Sequence, residues 1–215
     1  GISAFVGEIS SAVITTVFNM LLLNLAGNIG VAAYGVVANY SIVAVSVFNG
    51  LAQGTQPLFS ESYGAGNSNR VRRAYRLLLT CSVCYAMLFC LLIQLFPGVF
   101  AAIFTSNAEL LTFTKPMLRI YTLALGLFGI QIACQMTFTS LGNAKASIIV
   151  AVMRKFILLL PLIYIMPHLY IADLTKAVFM AEPVADVLAV AFTGVLFFFE
   201  FRKALRAMPK SEKRS

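Results

Sequence analysis

Long apolar runs alternate with short polar interruptions along the chain, and within the runs the apolar residues are continuous, not confined to every second position. A helix needs roughly 20 apolar residues to cross a hydrocarbon core about 30 Å thick. Six runs meet that length, at about 2–26, 31–60, 77–104, 117–141, 147–172 and 177–201. Because there is no two-residue alternation, helices are favoured over barrel strands. The expectation is an all-α, polytopic membrane protein, with a six-helix transmembrane lobe over 1–204 and a basic tail over 205–215.

The polar residues inside the runs are arranged in stripes. Span one carries Glu8, Ser11, Thr15 and Asn19 at i, i+3, i+7 and i+11, one helical face. In span two, Asn39, Ser46, Asn49, Gln53, Gln56 and Ser60 fall within an arc of roughly 100°. Span four has Gln131, Gln135 and Thr139, and span six has Glu182, Asp186 and Thr193. Stripes of this kind are costly against lipid and are expected to face a shared, hydrated interior. They can also serve only as interhelical glue, at about 0.6 kcal/mol per hydrogen bond.

Glu8 stands apart because it is the only carboxylate in its span, which contains no Lys or Arg. A lone intramembrane carboxylate suits a group that takes up and releases a proton or holds a cation. Gln53 and Gln56 could instead satisfy carbonyls freed by Pro57, and Pro161 and Pro167 are expected to kink span five.

Composition supports the membrane reading. With 60% hydrophobic and 11% charged residues and a mean hydropathy of +0.89, too few polar residues remain to coat a soluble globule. Thirteen of the 16 basic residues fall in three regions: Arg70, Arg72, Arg73 and Arg76 after span two; Lys145, Arg154 and Lys155 at the entry to span five; and Arg202, Lys203, Arg206, Lys210, Lys213 and Arg214 at the end. Six spans put these regions on one side, opposite Lys115, Arg119 and Lys176. The positive-inside rule makes that side cytoplasmic, with both ends of the segment there. Arg154 and Lys155 are expected to snorkel to that interface. The net charge of +8 follows from this orientation and from contact with anionic lipid, and no base-stacking basic face points to nucleic acid.

Other chemistry is sparse. Cys81 and Cys84 have CxxC spacing but lie in an apolar run, so they read as packing residues together with Cys90 and Cys134. His168, after Pro167, reads as interfacial. The GAGN at 64–67 is preceded by no strand and followed by no lysine, so it is a turn, not a phosphate loop. Ser106 and Glu109 have capping-box spacing and predict a short surface helix before Pro116. No nucleophile with a base, metal cluster or nucleotide loop is present in the sequence, and the chain is not expected to be an enzyme. It opens on Gly1 with no flank before its first span, which suggests a piece of a longer polypeptide.

The runs GISAFVGEISS, FNMLLLNLAGNIGVAAYGVVANYS and FNGLAQGTQPLFSESYGAGN, with LGNAK and AEPVAD further on, resemble the C-terminal lobe of multidrug and toxic compound extrusion (MATE) transporters, most closely the bacterial multidrug branch. The resemblance implies twelve spans in two six-helix lobes, and so a partner N-terminal lobe in the same polypeptide. It implies export of small amphipathic, often cationic drugs across the cell membrane in exchange for Na+ or H+, with no other cofactor. Glu8 matches the family's acidic position in the first helix of this lobe, which would place any bound Na+ beside it. Some members carry a second acid where this chain has Gln131 and Gln135. Under this reading Ser11, Thr15, Asn19, Asn39, Asn49, Gln53, Gln56, Gln131, Gln135 and Asp186 line the cavity. The alternatives are a lobe of a related lipid or polysaccharide flippase, and a non-transporting scaffold or truncated pseudo-transporter.

Overall fold

In the computed structural model, which describes residues 2–208, the chain is helical almost throughout. The elements are α1 (Ile2–Gly64), α2 (Ser68–Leu95), α3 (Pro97–Phe104), α4 (Ala108–Tyr121), α5 (Leu125–Ser140), α6 (Ala144–Val152), a π-helical stretch (Met153–Leu159), α7 (Leu160–Leu169) and α8 (Leu174–Ala207). Four helical segments are long and apolar enough to cross a membrane, or five when the bent pair α4 and α5 counts as one.

The first of these segments folds back on itself. Gly27 has φ 68° and ψ −152°, a region essentially reserved for glycine, and it interrupts α1. In a straight helix Phe18 and Tyr34 would lie about 24 Å apart along the axis; here their rings stack at 4.8 Å. Residues 2–26 and 28–64 are therefore two arms of a helical hairpin, and with them the lobe has its six spans.

Two turns reuse one device. Gly66 (φ 70°) and Gly142 (φ 79°) adopt left-handed backbone, and the next residue starts a new helix. Asn67 Oδ1 accepts from the Arg70 N–H at 3.1 Å, and Asn143 Oδ1 accepts from the Ala146 N–H at 3.1 Å. The arginines expected in a loop after span two therefore lie on α2, which begins at Ser68 and not near 77. The end of the lobe where Phe59, Val71, Leu141, Phe201 and Met208 pack together carries Arg70, Arg72, Arg73, Lys145, Arg202, Lys203 and Arg206. Of the expected tail, 205–207 belong to α8, while 209–215, with Lys210, Lys213 and Arg214, lie outside the described residues, as does Gly1.

Span four departs from its expected form. The cap of α4 is Asn107, whose Oδ1 accepts from the N–H groups of Glu109 (3.0 Å) and Leu110 (3.2 Å), and not Ser106. The helix then runs through Pro116 to Tyr121 instead of stopping before the proline. A 48° bend comes later, between α4 and α5. There the Thr122 hydroxyl donates back to the Leu118 carbonyl at 2.7 Å, a bond that bends helices. The Thr122 carbonyl accepts from the Leu125 N–H at 3.0 Å and from the Cys90 thiol at 3.4 Å.

At the centre, Phe18, Tyr34, Tyr121 and Phe179 form an aromatic cluster that joins both arms of α1 to α4 and α8, with centroid separations of 4.8–6.3 Å. Leu77, Leu88, Leu91, Val195 and Phe199 are exposed, as lipid-facing residues would be.

Candidate functional site

The polar stripes divide by burial. On the hairpin, Glu8, Thr15, Asn39 and Gln53 are exposed on the lobe, and Ser11, Asn19, Asn49 and Gln56 are half-buried. On the adjoining face of the first arm, Ser10, Ile14, Phe18 and Leu22, spaced by four, are buried. Gln131 on α5 is buried, with its Oε1 unpartnered among the described residues, and Gln135 one turn on is half-buried. Asp186 and Glu182 on α8 are buried, at 4% and 7% exposure. On this lobe the hairpin stripes lie on an open face, while α8 turns Glu182 and Asp186 into the protein core.

What those acids meet there is Arg154. Its Nε donates to Asp186 Oδ1 at 2.9 Å, Nη2 lies 2.7 Å from the same oxygen, and Nη2 also donates to Glu182 Oε1. The guanidinium lies 4.6 Å from the centre of the Phe128 ring. Arg154 is 9% exposed, so it does not snorkel to the interface as the sequence suggested. Two acids at i and i+4 on one face of α8 hold it more strongly than the longer route to water.

The π-helical stretch contributes to this placement. It begins at Met153, and the Leu160 N–H bonds to the Lys155 carbonyl five residues back. Pro161 follows on the second residue of α7, so the distortion expected from this proline takes the form of a π turn on its N-terminal side. Successive helical residues diverge by about 100° around the axis. Arg154 accordingly reaches α8, while the neighbouring Lys155 reaches the first arm and donates from Nζ to Ser11 Oγ. Ser11 lies one helical turn from Glu8, so Glu8, which has no basic residue in its own span, has the Lys155 ammonium from span five on its own face of the first arm.

Sequence reasoning missed the triad, although the signal was present: an arginine within the apolar stretch AVMRKFILLL and two acids one turn apart in another span.

The comparisons agree with this architecture. The chain is 23% identical over 158 residues to a protein of Shewanella oneidensis named FAD transporter, covering 74% of this chain and 34% of that one. Its fold matches an outward-facing multidrug resistance MATE transporter (TM-score 0.88, 18% identity, 96% of this chain and 46% of that chain). It matches an inward-facing one equally well (0.88, 17%, 97% and 48%). A mutant of the Vibrio cholerae MATE transporter VcmN gives 0.84 at 19% identity, with 94% and 45% covered. The chain spans about a third of the length of the FAD transporter and just under half of each solved transporter. The MatE family profile matches residues 4–165, most of the chain, and the protein therefore belongs to the MatE family of membrane transporters.

Proposed function

We propose that the chain is the C-terminal lobe of a two-lobed secondary antiporter that exports amphipathic, often cationic compounds in exchange for Na+ or H+. The partner is an N-terminal six-helix lobe of the same polypeptide, and the two lobes rock about a cavity between them. The basic-rich end faces the cytoplasm. That one lobe fold matches both an inward-facing and an outward-facing transporter supports movement as a unit.

One observation carries the reading. Of the acids in spans one and six, Glu182 and Asp186 are buried and held by Arg154 and Glu200 accepts from Asn143 at one end of α8, whereas Glu8 is exposed at the head of an open polar stripe. A carboxylate free to exchange a proton, a cation or a cationic cargo shifts a two-state equilibrium only through its differential affinity in the two states. The relative named FAD transporter favours a second cargo for the same device, an anionic dinucleotide.

The test is gradient-driven efflux of a cationic dye from liposomes holding the full-length protein, with a parallel arm loaded with FAD. In Glu8→Gln, which keeps size and hydrogen bonding, efflux per folded molecule is expected to fall at least tenfold, with folded yield unchanged by size-exclusion profile. Efflux at the unmodified rate would remove Glu8 from the coupling step.

A further inference from the structure

We propose that Glu8 and Lys155 form a zwitterionic element of the cavity wall that selects cargo carrying both a cationic and an anionic group. The inference rests on the antiporter reading for what the cavity carries, and on the geometry for which charges line it.

Lys155 is anchored to the open stripe, since its Nζ donates to Ser11 Oγ, one helical turn from Glu8 on the first arm. An ammonium has three N–H donors, so two remain after Ser11 is served. The acids nearest Arg154 do not use them up. Both Glu182 and Asp186 are engaged by the guanidinium, while the Lys155 Nζ is turned to Ser11 on the first arm. Both members of the Glu8 and Lys155 pair are accessible, Glu8 exposed and Lys155 half-buried, whereas the triad is closed off.

A wall with an acid alone would attract any cation. With the ammonium beside it, a purely cationic cargo gains from Glu8 and loses to Lys155. A cargo with a carboxylate or phosphate next to its cationic group satisfies both charges. Specificity of this kind combines attraction for the right charge pattern with repulsion of the wrong one.

The experiment uses two dyes that differ by one charge: rhodamine 6G, an ethyl ester and permanent cation, and its free acid, which adds a carboxylate. Binding of each to the purified full-length protein is followed by fluorescence anisotropy at neutral pH. In Lys155→Gln the dissociation constant of the free acid is expected to rise about five- to tenfold, the size of a partly hydrated charge contact, while that of the ester stays within about twofold or falls. Lys155→Arg keeps the charge and should keep the discrimination, which separates lost recognition from lost folding. Equal shifts for the two dyes, or no shift for the free acid, would overturn the proposal. If the unmodified protein exports neither dye under any gradient, the antiporter reading fails, and the anisotropy ratio still decides whether the wall is zwitterionic.

Discussion

Glu8 and the pair Glu182 and Asp186 occupy helices of similar apolarity and look alike as one-letter codes, yet the fold treats them in opposite ways. Arg154 takes both α8 acids into the core under the Phe128 ring, where each charge has a fixed partner. Glu8 stays on the open face, one helical turn from the Ser11 that holds the half-buried Lys155, and no ion pair within 4.0 Å fixes it among the described residues. Burial with a partner makes a carboxylate structural, and exposure leaves it free to change state. Both basic residues come from the π-helical stretch, Arg154 reaching the α8 acids and Lys155 the Ser11 hydroxyl one turn from Glu8.

The sharpest way to break the contrast is to remove the arginine. Arg154→Met leaves two carboxylates in the core with no counter-charge, and breaking one partner of a buried pair costs about 3–5 kcal/mol. Thermal unfolding in detergent should show a large loss of stability, or folded protein should vanish from the size-exclusion profile. Adding Glu182→Gln and Asp186→Asn to Arg154→Met removes the stranded charges and should recover much of that loss. A triple variant no better than the single one would mean that the cost comes from lost packing of the arginine stem, not from charge.

A smaller effect is expected where backbone alone is strained. A Cβ built on Gly27 meets nothing within 4 Å, so Gly27→Ala adds no clash, yet the φ and ψ there are open only to glycine. The expected cost is about 1–3 kcal/mol, read by thermal unfolding. Gly35→Ala is the matched control, because its Cβ is equally unobstructed and Gly35 lies in the helical second arm. It should be neutral or more stable by up to about 1 kcal/mol. Equal outcomes at the two glycines would argue that the hairpin does not depend on the Gly27 conformation.

How much of this could be read in the sequence depended on whether the signal was local. The break between the first two spans and the turns at Gly66 and Gly142 are glycine chemistry, visible as GN pairs between apolar runs. The short helix expected to end before Pro116 instead runs through it, and the bend comes at Thr122, where a threonine back-bond and a thiol from α2 meet the backbone. Ser106 and Asn107 are both good caps, and spacing to Glu109 favoured the wrong one. The largest miss was Arg154. Its place at the entry to span five suggested a residue near an interface, and only the packing of α8 against the π-helical stretch shows that its partners lie 28 and 32 residues ahead. Ion pairing between spans is a long-range property, and a helical face seen one span at a time does not reveal it.

The smallest expected stability effect belongs to the other side of the comparison, and its smallness is the point. Glu8 is exposed, and no ion pair within 4.0 Å links it to another described residue. Glu8→Gln removes a charge that no buried partner depends on, so unfolding temperature and folded yield should stay near those of the unmodified protein, within the roughly 0.5 kcal/mol typical of accessible substitutions. The Lys155 ammonium loses an attractive neighbour but keeps Ser11 and water. Set beside Arg154→Met, the same loss of one charge should therefore differ by several kcal/mol according to burial alone. If Glu8→Gln destabilises the protein as much as Arg154→Met does, Glu8 is a structural anchor closed off in the assembled transporter. The open stripe would then be a contact surface for the second lobe and not part of the transport path.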